Sequence, residues 1–240
     1  MRVKAVIAYD GSKFYGFQKQ TTTSQTVTTQ IELALKSLHI NSSIVGSGRT
    51  DRGVHASNQV IHFDLPPYWS DLDKLRYTLN QKLRYIYIKH IVMVDDDFHA
   101  RFSAKRRIYR YVFRTKPISV FQKDYISYYE KFDNIKLQQA LEYFVGLHDF
   151  AFFHKQGSDT HTTIREVYKS FYIQRDNYHY IYFEANGFLR SQVRMMVDAC
   201  MQVAIDHINI NQLKEQILKQ KIYTTRLAPP QGLYLARIIY

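Results

Sequence analysis

Residues 2–9, RVKAVIAY, alternate apolar and polar side chains with β-branched members, the two-residue period of a strand. Asp10-Gly11-Ser12 then supplies turn residues. Val27, Ile31, Ala34, Leu35 and Leu38 recur at helical spacing and predict a helix over 27–38. The preceding Thr-rich segment, TTTSQTVTTQ, offers Ser and Thr as its caps. Ile44-Val45 predicts a short strand, followed by a loop with three glycines. Val60-Ile61-His62-Phe63 predicts the next strand, stopped by Pro66-Pro67. Leu72, Leu75, Leu79 and Leu83 mark one side of a helix over 71–83, and 85–94 reads as a strand. The order β-α-β-β-α-β is the split βαβ, or ferredoxin-like, unit.

The second half repeats that order. Residues 107–114 are strand-like and 135–145 helical, and 165–173 with 178–184 predict a hairpin across Arg175-Asp176-Asn177. A helix is expected over 188–204, a further one over 211–218 capped by Asn211, and a final strand over 233–239. The expected class is therefore α+β, two ferredoxin-like halves with antiparallel sheets, divided as 1–104 and 105–240. The stretch 147–163, LHDFAFFHKQGSDTHTT, has no clear period and reads as a long, functional or mobile loop.

Charge changes the picture from fold to partner. Lys and Arg number 33 against 21 Asp and Glu, and the excess is spread along the chain rather than gathered in a tail. A folded basic surface for a polyanion, nucleic acid or an anionic membrane, is the expectation. Tyr (20) and Phe (15) are abundant, and Tyr interleaved with Arg suits base stacking beside phosphates. A single cysteine, Cys200, excludes an intrachain disulfide and a zinc-finger framework. It falls in an apolar helical pattern and is expected to be a buried thiol. The first residues enter a strand without a signal-peptide core, and no membrane span is evident, so a cytoplasmic protein is expected.

Three places are candidates for chemistry. In GSGRTDRGVHA, residues 46–56, Asp51 stands between Arg49 and Arg52 in a glycine-bearing loop. Neighbouring guanidinium groups favour the ionised carboxylate, a poor proton donor but a usable nucleophile or electrostatic stabiliser. Asp-Arg-Gly is also a good turn sequence, so Asp51 equally fits a purely structural role. In KRRIYRYVF, residues 105–113, a strand puts Arg107, Tyr109, Tyr111 and Phe113 on one face, with at least one tyrosine in the sheet core. In GFLRSQVRMMVDAC, residues 187–200, Arg190 and Arg194 lie four apart along a helix border. Like charges at that spacing cost roughly 0.2–0.5 kcal/mol unless an anion compensates. Asp198 or a carboxylate from elsewhere meets that need, or the pair is simply a solvated edge. His148, His154 and His161 lack companion ligands in a metal-binding pattern, and no phosphate-binding loop, dinucleotide fingerprint or nucleophile elbow is present.

GRTDRGVHA (48–56) resembles the signature of the TruA family of tRNA pseudouridine synthases. YDGSKFYGFQKQ (9–20), ARFSAKRRIYRY (100–111), GLHDFAFF (146–153), ANGFLRSQVRMMV (185–197) and APPQGLYL (228–235) extend the likeness in the family's order. The resemblance implies two ferredoxin-like halves with an active-site cleft between them, a homodimer, tRNA as partner and no metal or organic cofactor. It implies that Asp51 is the nucleophile, that Arg194 pairs with it, and that Tyr109 stacks on the target uracil. Arg49 matches an arginine assisting nucleotide extrusion; Arg52, a cation beside Asp51 rather than a family position, is a further substrate-binding candidate. The implied activity is isomerisation of uridine in the anticodon stem-loop.

Several positions depart from the family pattern. Phe17 stands where Trp is common, Gln25-Thr26-Val27-Thr28 where Arg-Thr-Val-Gln is usual, and Arg52 where many relatives have a small residue. Ser191-Gln192 and Met195-Met196 replace the more typical neighbours of Arg194. These departures bear on uridine choice. They also motivate a rival reading, a tRNA-binding folding factor with a vestigial site. An acid-dependent glycosidase lacks an evident second carboxylate.

Overall fold

The computed structural model describes residues 1–157 and 160–240, in two compact units: Met1–Lys105 with Tyr234–Tyr240, and Arg106–Leu233. The first carries β1 (Arg2–Tyr9), α1 (Val27–Lys36), β2 (Val45–Gly46), β3 (His55–Asp64), α2 (Leu72–Lys82) and β4 (Ile86–Met93). β1 lies between β4 and β3, antiparallel to both, and β2 pairs with β3 through Val45 opposite His62. That is the ferredoxin-like arrangement read from the sequence, with β2 cut to two residues. The alternation along β1 buries Val3, Ala5, Ile7 and Tyr9. Ile31 and Leu35 of α1, and Leu75 and Leu79 of α2, complete the core.

The helix caps follow their side chains. Thr26 accepts the Thr29 N–H at the start of α1, as the Thr-rich segment suggested, and Asp71 accepts the Lys74 N–H at the start of α2.

The second unit carries β5 (Arg106–Arg114), β6 (Ser127–Tyr128), α3 (Asn134–Glu142), β7 (Gly146–Asp149), β8 (Ile164–Arg175), β9 (Tyr178–Ala185), α4 (Gln192–Ala204) and α5 (Ile210–Ile217). Its sheet runs β5-β9-β8-β7 with antiparallel neighbours, β6 adds to β5 in parallel, and the β8–β9 hairpin turns at Asp176 with φ of 52°. Phe144, Phe150, Phe153 and Phe183 form a fully buried ring cluster with centroids 5.2–6.3 Å apart. The last strand, β10 (Leu233–Ile239), is the exception to a simple division near residue 105. Its Tyr234 and Leu235 pair in parallel with His55 and Ala56 of β3.

Four readings are corrected. The stretch 147–163 is not one irregular loop: β7 takes its first residues, and Phe150 and Phe153 are drawn into the core, with 158 and 159 outside the described residues. The cap of α5 is Asn209, not Asn211. Asn209 and Gln212 exchange hydrogen bonds in a capping box, at 3.0 and 2.8 Å. The helix over 188–204 starts only at Gln192, because Ser191 sits at φ of 59° and the Gln192 side chain accepts the Leu189 N–H. Arg190 therefore precedes the helix, and the four-residue charge pair with Arg194 does not exist.

Candidate active site

Asp51 sits half-buried at the start of a tight turn closed by the Val54 N–H on the Asp51 carbonyl at 3.1 Å, with Gly53 at φ of 79°. Arg49 and Arg52 on either side are exposed. The loop leading in is anchored by the fully buried Gln59, whose Oε1 accepts the Ser47 hydroxyl at 2.6 Å and whose Nε2 donates to the Gly48 carbonyl at 2.7 Å. Next to Asp51, Thr50 is held by the Tyr9 hydroxyl at 2.7 Å and by the Phe17 N–H at 3.1 Å.

The segment after β1 lies directly on this turn. A Cβ on Gly16, at φ of 114°, would stand 3.0 Å from the Thr50 carbonyl oxygen, and one on Gly11 would stand 2.0 Å from that of Val54. Both glycines are thus required by close backbone approach. Phe17, the residue at the usual Trp position, is buried with its ring over Gly46. The Arg52 guanidinium lies 4.4 Å from the Tyr15 ring centroid, a cation–π contact on the solvent side of the turn.

In the second unit, Tyr109 is on β5 opposite Phe183 of β9, 7% exposed, with the Phe188 ring edge-on at 5.2 Å. Tyr111 is the core tyrosine expected on that face. Its hydroxyl donates to Ser127 Oγ at 2.7 Å, and burial pushes it well above the usual phenol range. Tyr129 beside it is pushed up to about 12, mainly by burial.

Every residue of α4 except Arg194 is buried, so this is no solvated helix edge. Arg194 Nε donates to the Ala228 carbonyl at 2.7 Å, and the Ala228 N–H donates back to the Arg194 carbonyl at 3.1 Å. The APPQG motif thereby holds the arginine. Its Gly232 is compulsory through close approach as well: a Cβ there would meet Ser127 Oγ at 2.5 Å and the Val112 carbonyl oxygen at 2.8 Å. Asp198 is bonded to the Thr224 hydroxyl and the Gln202 amide, and burial raises its pKa. Cys200 is a buried thiol, as expected, and burial pushes it far up.

Among the described residues, no group of three His, Cys, Asp or Glu side chains stands ready for a metal ion, and no helix is long and apolar enough to cross a membrane. Sequence reasoning missed Tyr9, Thr50, Gln59, Phe188 and Ala228 as supports of the site. The glycines in YDGSKFYGF were a usable signal, because neither lies inside a periodic element.

A family model described as tRNA pseudouridine synthase matches residues 5–103 and 140–240, and the chain belongs to that family. Its relatives include a protein of Campylobacter jejuni named tRNA pseudouridine synthase A, 40% identical over 241 residues and the full length of both chains. Proteins of the same name from Wolinella succinogenes and Helicobacter hepaticus are each 38% identical. They cover 98% and 99% of this chain, and 93% and 98% of their own.

Proposed function

We propose that the chain isomerises uridine to pseudouridine in the anticodon arm of tRNA, with Asp51 as its nucleophilic carboxylate. The observation that carries this is the Asp51 turn, pinned on three sides by Gln59, Thr50 and the glycine segment, with arginines at both flanks. A turn needed only as a hairpin has no use for that fastening.

The reaction conserves atoms: the N1–C1′ bond breaks, the base turns, C5 bonds to C1′, the C5 proton leaves and N1 takes one up. The uridine has to leave the base stack to be reached, and Arg49 and Arg52 meet the displaced phosphate backbone. Ionised Asp51 attacks C1′, adds to C6 or takes a ribose proton. All three routes need the anion, which Arg194 stabilises as its ionic partner. Tyr109 stacks on the uracil and handles the C5 proton. The enzyme works as a cytoplasmic homodimer, and a solution mass of one chain rather than two would overturn the dimer.

Tritium release from tRNA transcripts labelled at uridine C5 tests the reading. Release by the wild type and none by Asp51→Ala, with tRNA affinity kept within about twofold, is expected. Tight binding by the wild type without release would replace the isomerase with a tRNA folding factor. The Asp51→Ala, Arg194→Ala double variant should be no slower than the worse single one, since paired groups fail together.

A further inference from the structure

His55 ends the Gly-Val-His part of the signature and opens β3, four residues after Asp51, and the chemistry above does not use it. It is 1% exposed. Its Nδ1 accepts the Gly11 N–H at 3.0 Å, so the ring proton resides on Nε2. The Asp10 carboxylate lies 3.5 Å from the same nitrogen, while accepting the N–H and hydroxyl of Ser12 at 3.0 and 2.7 Å. Tyr234 of β10 stacks on the imidazole, with centroids 4.7 Å apart and an interplanar angle of 19°.

These contacts form a chain that ends at the reactive carboxylate. His55 holds Gly11, the Gly11 backbone lies against the Val54 carbonyl too closely for any Cβ, and Val54 closes the turn on Asp51. We propose that neutral His55 is a positioning residue for Asp51, acting through Gly11 and Val54. The proposal rests on the reading of Asp51 as the catalytic carboxylate.

The same geometry makes the clamp sensitive to acid. Nδ1 has one lone pair, and the Gly11 N–H occupies it. A second ring proton goes to Nδ1, where it faces and displaces the Gly11 N–H, with the Asp10 carboxylate 3.5 Å away as the competing acceptor. Asp10, from the turn after β1, and the Tyr234 phenol, from β10, are titratable groups facing the ring. The first favours the proton, and the Gly11 amide opposes it. Protonation of Nδ1 therefore removes the hydrogen bond by which His55 holds Gly11 and loosens the Gly11 support of the Asp51 turn.

His55→Asn and His55→Ala in the full chain separate this role from ordinary packing. An Asn Oδ1 accepts the same N–H and does not titrate. In His55→Ala, kcat for tritium release should fall about tenfold or more with KM for tRNA nearly unchanged, since a misplaced reactive group costs rate rather than binding. His55→Asn should recover most of that loss and lack the part of the acid limb that His55 contributes. Nitrogen NMR of the wild-type imidazole should show the neutral Nε2–H form at neutral pH. Exchange of the Gly11 amide should be slow there, faster in acid, and slow at both in His55→Asn.

Wild-type kcat in His55→Ala, a protonated Nδ1 at neutral pH, or Gly11 exchange indifferent to His55 would each overturn the proposal. If no uridine is isomerised by any variant, the reading of Asp51 fails, and the NMR and exchange results still decide the clamp. Should His55→Ala not fold, His55→Asn carries the test through its pH profile.

Discussion

Around Asp51 the fastenings are hydrogen bonds and bare backbone: Gln59 on Ser47 and Gly48, Tyr9 on Thr50, Gly11 against Val54. Around Tyr109 and the body of α4 they are mainly packed side chains: Phe188 edge-on to the tyrosine, and an α4 buried on all sides but for its arginine, which a single pair of hydrogen bonds ties to Ala228. A loop that brings a charged group toward solvent has little apolar surface to bury, so its polar backbone needs explicit partners. A strand and a helix satisfy their own backbone and leave positioning to packing. The Asp51 region should therefore lose rate when single polar atoms are removed. The second unit should lose stability when volume is removed.

The largest expected effect breaks the packed side. Phe144 is fully buried among Phe150, Phe153 and Phe183, and Phe144→Ala should cost about 3–5 kcal/mol. Melting should fall by roughly 10 °C, while kcat at a temperature where the variant is folded stays near wild type. A collapse of kcat at equal stability would show that packing there sets the site as well.

Gln59→Leu attacks the other side. It leaves the buried Ser47 hydroxyl and the Gly48 carbonyl without that partner, at about 2 kcal/mol. Kinetics should show kcat falling further than the stability loss explains, with tRNA affinity retained. Equal losses in kcat and stability would make Gln59 a core residue only.

A smaller effect comes from the cap of α1. Thr26→Ala should cost about 1 kcal/mol, restored by Thr26→Ser. Because the first turn of this helix takes the Gly16 and Phe17 carbonyls through the Val27 and Thr28 N–H groups, the change should also reach Thr50 and lower kcat slightly. Thermal melts and tritium release on the same samples measure both.

The first unit was legible because its long elements each carry one clean period: alternation in β1, and the Val27-to-Leu35 and Leu75–Leu79 spacings in the helices. β2 is legible in Ile44-Val45 despite its two residues, whereas β6 and β7, with two and four residues, have no period to detect. The start of α4 misled because Leu189 fits the apolar spacing. What ends the helix there is the left-handed Ser191, which no pattern of apolar residues reports. Asn209 was missed in favour of Asn211, although Gln212 three residues on was the readable half of a capping box. At the candidate site, the positions proposed to react stand out as a motif. Their supports do not, since Gly16 meets Thr50, and Ala228 meets Arg194, across 34 residues in each case.

Asp198 gives the smallest effect and the clearest sign. Burial raises its pKa, and the hydrogen bonds from Thr224 and Gln202 and the charge of Arg226 offset only part of that. A carboxyl group whose folded pKa lies above its unfolded value holds its proton more tightly in the native state, so stability falls as pH rises from the unfolded pKa through the folded one. Above that window the full cost is present, and below it there is none. Asp198→Asn keeps an acceptor for Thr224 and removes the charge. It should melt slightly higher than wild type at neutral pH, by a few tenths to about 1 kcal/mol, with the gain vanishing in acid. Thermal melts across that range measure it, and a variant less stable at neutral pH would mean that ionised Asp198 is bound by α4 more strongly than its burial costs. The packed region would then also be held by charge, and the contrast with the Asp51 turn would narrow to the backbone contacts alone.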